Sequence, residues 1–143
     1  MHGFFEHQYL SYKKNHIRTL LEISRADGLV HEKEREMLFR IGRRYGLKDR
    51  QIQNLLDEQA TGSITIPEQV EDKINTLYDL VLMIYADGVV EEREIQFAED
   101  LASRFALHTG IVRWLLFEVF DRGNPPGEDQ WQEYLDLAKQ KFC

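Results

Sequence analysis

The residues of this sequence that could do chemistry are carboxylates that recur in two short segments, each reading A-D-G-x-V-x-x-x-E. The first segment runs from Ala26 to Glu34 and the second from Ala86 to Glu94. Carboxylate oxygens are preferred ligands of Ca²⁺ and Mg²⁺, so these segments could hold a divalent cation. The candidate metal ligands are Asp27 and Glu34 in the first segment, and Asp87, Glu91 and Glu94 in the second.

The same segments can also be structural corners that join one helix to the next. The glycine allows a positive φ that ends a helix, and the aspartate can accept hydrogen bonds from turn amides. The glutamate then falls in the first turn of the next helix, where backbone N–H groups lack partners. A calcium-binding loop with this ending would need oxygen ligands at Ile23 and Arg25, or at Met83 and Tyr85. We therefore favour a structural corner and keep the cation site as the alternative.

No other catalytic or cofactor-binding motif is recognisable in the sequence. His31 begins a string like H-E-x-x-H, but Arg35 stands where a zinc protease needs its second histidine. Glycine-rich phosphate loops and E-x-x-H pairs for a di-iron site are missing from the sequence. The single cysteine, Cys143, is the last residue and a poor candidate for a nucleophile. These patterns predict a protein that is not an enzyme and has no cofactor.

Basic side chains on the predicted second helix form the other candidate site. They are Lys33, Arg40, Arg43 and Arg44. Lys33, Arg40 and Arg44 stand at positions i, i+7 and i+11, which share one helix face. The chain as a whole has 18 basic and 25 acidic residues and a net charge of −7. The face is either a solvated one with helix pairs such as Glu36–Arg40, or a docking surface for an acidic protein partner or a phosphate. The acidic balance argues against general nucleic-acid binding.

Apolar residues recur at three- and four-residue spacing along nearly the whole chain, which predicts an all-α protein of about seven helices. Gly46 should end the second helix, and Thr65 with Glu68 should form a capping box before the fourth. The longest apolar run, Leu80 to Ala86, is too short to span a membrane. With no N-terminal signal pattern and one cysteine, we expect a cytoplasmic protein without direct membrane insertion.

An internal repeat organises these helices. Residues 20–56 align with residues 80–116 without gaps, and 11 of the 37 positions are identical where composition alone would give about two. The chain should thus be a single domain, 1–143, with repeat one at about 17–60 and repeat two at about 77–122. We expect the repeats to be related by a pseudo-twofold axis, with an extra C-terminal helix at 128–142.

The paired corners resemble those of the tellurite-resistance TerB-like family over roughly residues 17–120. The resemblance implies a duplicated helical fold and a bacterial cytoplasmic protein associated with tellurite, metal or envelope stress. It also implies acidic surfaces and binding of protein partners or divalent metals, and it brings no catalytic residues. One departure is that His31 and Glu91 stand where members often place Asp, Ser or Thr as a helix cap. The resulting hypothesis is a non-enzymatic adaptor for a protein partner, with a divalent-cation module as the alternative.

Overall fold

The computed structural model describes residues 2–25, 32–58, 66–86 and 90–143, with side chains from Lys13 onward. Over these residues the chain forms seven α-helices and no β-strand, which confirms the predicted all-α class. No helix in this part of the chain is long and apolar enough to cross a membrane. The helices are α1 (His2–Arg25), α2 (Glu32–Arg44), α3 (Asp49–Asp57), α4 (Val70–Ala86), α5 (Glu92–Arg104), α6 (Gly110–Trp114) and α7 (Glu128–Phe142).

The chain divides into two compact units, Met1–Thr65 and Ile66–Cys143, and each contains one of the two sequence repeats. In unit 1, α1, α2 and α3 pack against one another in all three pairings. Their apolar stripes supply the buried side chains of this unit, among them Ile17, Leu20, Leu38, Ile41, Ile52 and Leu55. The expected single domain with a twofold axis stays a prediction.

Unit 2 is built around α4, as its apolar composition indicates. This helix contacts α5, α7 and the π-helical turn Leu115–Val119 that continues α6. The amphipathic α7 packs on α4 through Trp131, whose ring lies 4.2 Å from that of Tyr78. The Trp131 indole N–H donates to the Asn75 side-chain oxygen at 3.1 Å. The predicted C-terminal helix is therefore confirmed and forms part of the packing of this unit.

The start of α4 differs from its prediction. The helix begins at Val70, and residues 66–69 before it are not helical, so Glu68 is not in its first turn. Thr65 lies outside the described residues. The first helical hydrogen bond joins the Lys73 N–H to the Gln69 carbonyl. Glu71 and Asp72, in the first turn of α4, place carboxylates near the positive end of the helix dipole, which favours this later start.

The ends of α2 and α5 have the same backbone geometry. Both helices have 13 residues, and their first residues are 60 positions apart. After each helix one residue is left-handed, Gly46 at φ 87° and Ala106 at φ 60°. Two hydrogen bonds close each end in the Schellman pattern, at 2.9 Å in every case. Gly46 therefore ends α2 as predicted, and Ala106 does the same for α5 without the freedom of a glycine.

Because a Cβ atom makes the left-handed conformation costly, Ala106→Gly should stabilise unit 2 by up to about 1 kcal/mol. Urea unfolding followed by tryptophan fluorescence measures this, since both tryptophans, Trp114 and Trp131, lie in unit 2. A lower unfolding midpoint for Ala106→Gly would contradict the prediction.

Gly46→Ala is the matched variant in unit 1 and should have the opposite sign. The added Cβ would meet only the flexible Lys13 side chain, at 3.3 Å, so the backbone conformation sets the expected cost of about 1 kcal/mol. Hydrogen exchange of the α2 amides reads out this loss. Equal stability of Gly46→Ala and the parent chain would show that this turn does not need a glycine.

Candidate functional site

The two A-D-G corners, at residues 26–31 and 86–89, meet the described structure only at their edges. Asp27 and Asp87 lie outside the described residues. The other three candidate ligands, Glu34, Glu91 and Glu94, lie within them. The Glu94 carboxylate accepts a hydrogen bond from the Glu91 backbone N–H at 3.2 Å, which confirms its predicted place at the start of α5. Glu34 occupies the corresponding first turn of α2.

The Glu91 side chain is already engaged. Its carboxylate accepts from the Arg93 Nε at 2.7 Å. Within the described ranges no three or more His, Cys, Asp or Glu side chains gather into a group that could hold a metal ion. The cation site stays a prediction, and its described members are Glu34, Glu91 and Glu94.

A hydrogen bond next to each corner ties the first helix of a unit to its third. The Arg25 guanidinium donates to the Leu56 carbonyl at 2.7 Å. The Tyr85 hydroxyl donates to the Leu116 carbonyl at 2.6 Å. Donors and acceptors are both 60 residues apart, although one donor is a cation and the other a phenol. We call this pair of contacts the helix clamp.

The helix clamp uses Arg25 and Tyr85, two of the four residues that would have to supply ligands in calcium-binding loops. Arg25 also donates to the Glu58 carbonyl at 2.9 Å, so its guanidinium serves two carbonyls at the end of α3. In unit 2, burial raises the pKa of the Tyr85 hydroxyl and keeps it protonated as a donor. Arg25 and Tyr85 therefore act on the third helix of their units, which supports the structural interpretation of the corners.

The turn Asp121–Asn124 lies against the Tyr85 ring in unit 2. Arg122 and Gly123 have φ values of 53° and 86°, as in a type I′ turn, and two 2.9 Å hydrogen bonds join Asp121 and Asn124. A Cβ at Gly123 would lie 3.1 Å from the Tyr85 ring, and the Phe120 ring stacks on Tyr85 at 5.6 Å. A side chain at position 123 would therefore require a small shift of the Tyr85 ring, and the positive φ independently favours glycine.

The π-helical turn before this turn is a feature that periodicity did not reveal. The Phe120 N–H donates to the Leu115 carbonyl, five residues back, at 3.0 Å. The turn ends at the buried Phe120 ring, and its Leu116 carbonyl is the acceptor of Tyr85. Local periodicity gives no signal for this turn, and the side-chain contact that accompanies it comes from a tyrosine 31 residues earlier in the chain.

The structure leaves Lys33, Arg40 and Arg44 exposed along one side of α2, whereas Leu38 and Ile41 of the same helix are buried. We call this face the basic stripe. Among the residues described, no carboxylate lies within ion-pair distance of Lys33 or Arg40, so the Glu36–Arg40 pair is not formed. The Arg44 guanidinium lies over the Tyr45 ring at 5.3 Å.

Arg43, the fourth basic candidate, has a different environment. Its guanidinium donates to both carboxylate oxygens of Asp49, at 2.7 and 2.9 Å, and lowers the pKa of that carboxyl. It also lies over the Phe39 ring at 5.5 Å. Arg43 thereby joins the end of α2 to the start of α3, and its charge is compensated. Its bond to Asp49 thus distinguishes it from Lys33 and Arg40.

The chain matches no protein-family model, no curated protein and no solved structure. The resemblance to the TerB-like family therefore rests on the repeated corner motif.

Tyr85→Phe should reduce the free energy of unfolding of unit 2 by about 1 kcal/mol, because the part-buried Leu116 carbonyl loses its donor. Tryptophan fluorescence during urea unfolding measures the loss. Arg25→Met, which keeps an apolar stem but removes the donors, should weaken α3 protection in hydrogen exchange in the same way. Unchanged values for both variants would mean that the helix clamp does not stabilise its units.

The Tyr85→Phe variant also predicts a pH dependence. Since burial raises the pKa of Tyr85, the native state holds this proton more tightly than the unfolded chain. The stabilisation is complete below a pH of about 10 and is lost as the pH rises through the native pKa. The stability difference between the parent chain and Tyr85→Phe should therefore shrink above this pH, with the other five tyrosines common to both.

If the corners are structural, millimolar Ca²⁺ or Mg²⁺ should leave the melting temperature unchanged. A ligand at a hundred times its dissociation constant would add about 2.7 kcal/mol, a shift that thermal unfolding detects easily. Glu94→Gln keeps an oxygen for the Glu91 N–H and should itself be mild. A calcium-dependent rise that Glu94→Gln abolishes would establish the cation site instead.

Proposed function

We propose that this protein is a non-enzymatic, cytoplasmic interaction module of TerB-like type that docks an acidic protein partner on the basic stripe of α2. The observation that carries this proposal is the exposure of Lys33, Arg40 and Arg44 on one helix face of a chain with net charge −7. Under this proposal the stress association implied by the resemblance is the physiological setting in which the partner is bound.

The physical properties of the basic stripe suit such a contact. Two of its three side chains are arginines, whose planar guanidinium groups bind carboxylates in a bidentate manner. Half-buried Met37 lies between Lys33 and Arg40 on the same face and would add apolar contact. Leu38 and Ile41 anchor the helix in unit 1, so its exposed face is presented on a fixed element. Charged contacts of this kind mainly speed association and discriminate between partners.

The described residues favour partner binding over the cation alternative. Glu94 serves the start of α5, and Glu91 is bonded to Arg93, whose positive charge disfavours a cation nearby. Glu91 and Glu94 therefore already have partners within the protein. The basic stripe instead presents Lys33 and Arg40 without a carboxylate partner in the described part of the chain.

Affinity capture from a lysate of the source cells, at low and at moderate salt, tests the proposal. The captured partner should be acidic, and its yield should fall as salt shortens the screening length to ~8 Å. Arg40→Glu with Arg44→Glu should abolish capture, because like charges then face each other. Cross-linking followed by peptide mapping should locate the contact on α2.

Arg104→Glu provides the matched control. Arg104 is the repeat counterpart of Arg44, it is exposed, and it lies in the last turn of α5 as Arg44 does in α2. The Arg104→Glu reversal places a negative charge at the negative end of the helix dipole, as Arg44→Glu does, but at a residue outside the basic stripe. Capture that persists with both stripe residues reversed, or that Arg104→Glu removes equally, would refute the basic stripe as the docking face.

A further inference from the structure

The outer face of α7 carries a row of carboxylates. Asp129, Glu133 and Asp136 are exposed, on the side opposite the buried Leu135 and Ala138. None of the three forms an ion pair with a residue in the described part of the chain. The row continues at Gln140, which is also exposed. We call these four residues the α7 seam.

The exposed face of α2 has the same spacing with the opposite charge. Its residues Lys33, Met37, Arg40 and Arg44 form what we call the α2 seam, the basic stripe together with the half-buried methionine. Both seams advance by four, three and four residues, the pattern on which two helices pack side by side. With a rise of 1.5 Å per residue, each seam is about 16 Å long.

We propose that the acidic partner of the basic stripe is a second copy of this chain, which presents its α7 seam to the α2 seam. The inference rests on the proposed function, since it names the partner of the same face. In an antiparallel arrangement the spacing places Arg44 opposite Asp129 and Arg40 opposite Glu133. Met37 then lies opposite Asp136, and Lys33 lies opposite Gln140.

The antiparallel orientation follows from the charges at the helix ends. Arg43 and Arg44 occupy the last turn of α2, and Glu128 and Asp129 occupy the first turn of α7. Antiparallel packing brings these two ends together and aligns the helix dipoles favourably. Lys139, which would oppose the pairing, is already bonded to Glu71 on α4. In this half of the contact, Arg44 and Arg40 therefore face the carboxylates of Asp129 and Glu133.

The division of charge along the chain favours a second copy over an unrelated acidic protein. Residues 1–60 contain 11 basic and 9 acidic side chains, whereas residues 61–143 contain 7 and 16. Every copy thus carries both halves of the pairing, one in each unit. Exposed ion pairs are individually weak, so the association should be transient and sensitive to salt.

Sedimentation velocity of the full chain, from about 10 to about 500 μM, tests this inference in the range where weak contacts become populated. The sedimentation coefficient of the parent chain should rise with concentration at about 30 mM salt. It should stop rising at about 300 mM salt, where the Debye length has fallen to roughly 6 Å. A concentration-independent monomer at low salt would overturn the inference.

Two charge-reversed variants sharpen the test. One carries Arg40→Glu and Arg44→Glu, and the other carries Asp129→Lys and Glu133→Lys. Each alone should lose the association, because like charges then meet at the contact. An equimolar mixture should regain it, since each variant offers the charge that the other now lacks. Regain in the mixture also shows that both variants are folded, and circular dichroism checks this independently.

The controls separate this inference from the proposed function. Arg104→Glu, outside both seams, should associate as the parent chain does. Association that survives either double reversal, or a mixture that fails to regain it, would refute the paired seams. If the parent chain stays monomeric while Arg40→Glu with Arg44→Glu still abolishes capture of another acidic protein, the proposed function stands and this inference fails. If the seams pair as stated and no other partner is captured, self-association is the role of the stripe.

Discussion

The last carbonyl groups of a helix have no partner within it, and each unit satisfies one such carbonyl with a side chain from its first helix. Arg25 and Tyr85, at the ends of α1 and α4, each reach a carbonyl of the third helical segment in their unit. Since the corner follows immediately, this contact fixes where the first helix stops relative to the third. The second helices of the two units, α2 and α5, have equal lengths.

This constraint also separates the structural from the chemical features of the chain. Of the carboxylates that first suggest a metal site, Glu34 and Glu94 lie in the first turn of a helix, and Glu94 bonds to the backbone there. On the surface of α2, Lys33 and Arg40 form no such structural contact with the described residues. Arg43 shows the contrast most clearly, because on the same helix it is bonded to Asp49 and joins two helices. A charged side chain becomes a candidate for function when the fold does not use it.

The sequence predicts the helices well because their signals are local. Periodicity locates the seven helices of the described residues, and Gly46 marks the end of α2 correctly. The features that escape prediction depend on distant contacts or on competing local signals. Ala106 is left-handed although alanine gives no sign of it, and the turn after Leu115 widens where Tyr85 meets Leu116. Similarly, spacing places Arg43 near the basic stripe, but only the fold reveals Asp49 as its partner.

The helix clamp has a consequence for how such duplicated chains diverge. Its acceptor is a main-chain oxygen, which every residue carries, so the acceptor side is insensitive to substitution. Its donor needs only reach and a polar hydrogen, and arginine and tyrosine both meet that need. The two halves can therefore drift to different chemistry at these positions while the geometry persists. Residue-by-residue identity then counts a mismatch at Arg25 and Tyr85, although the two side chains make equivalent contacts.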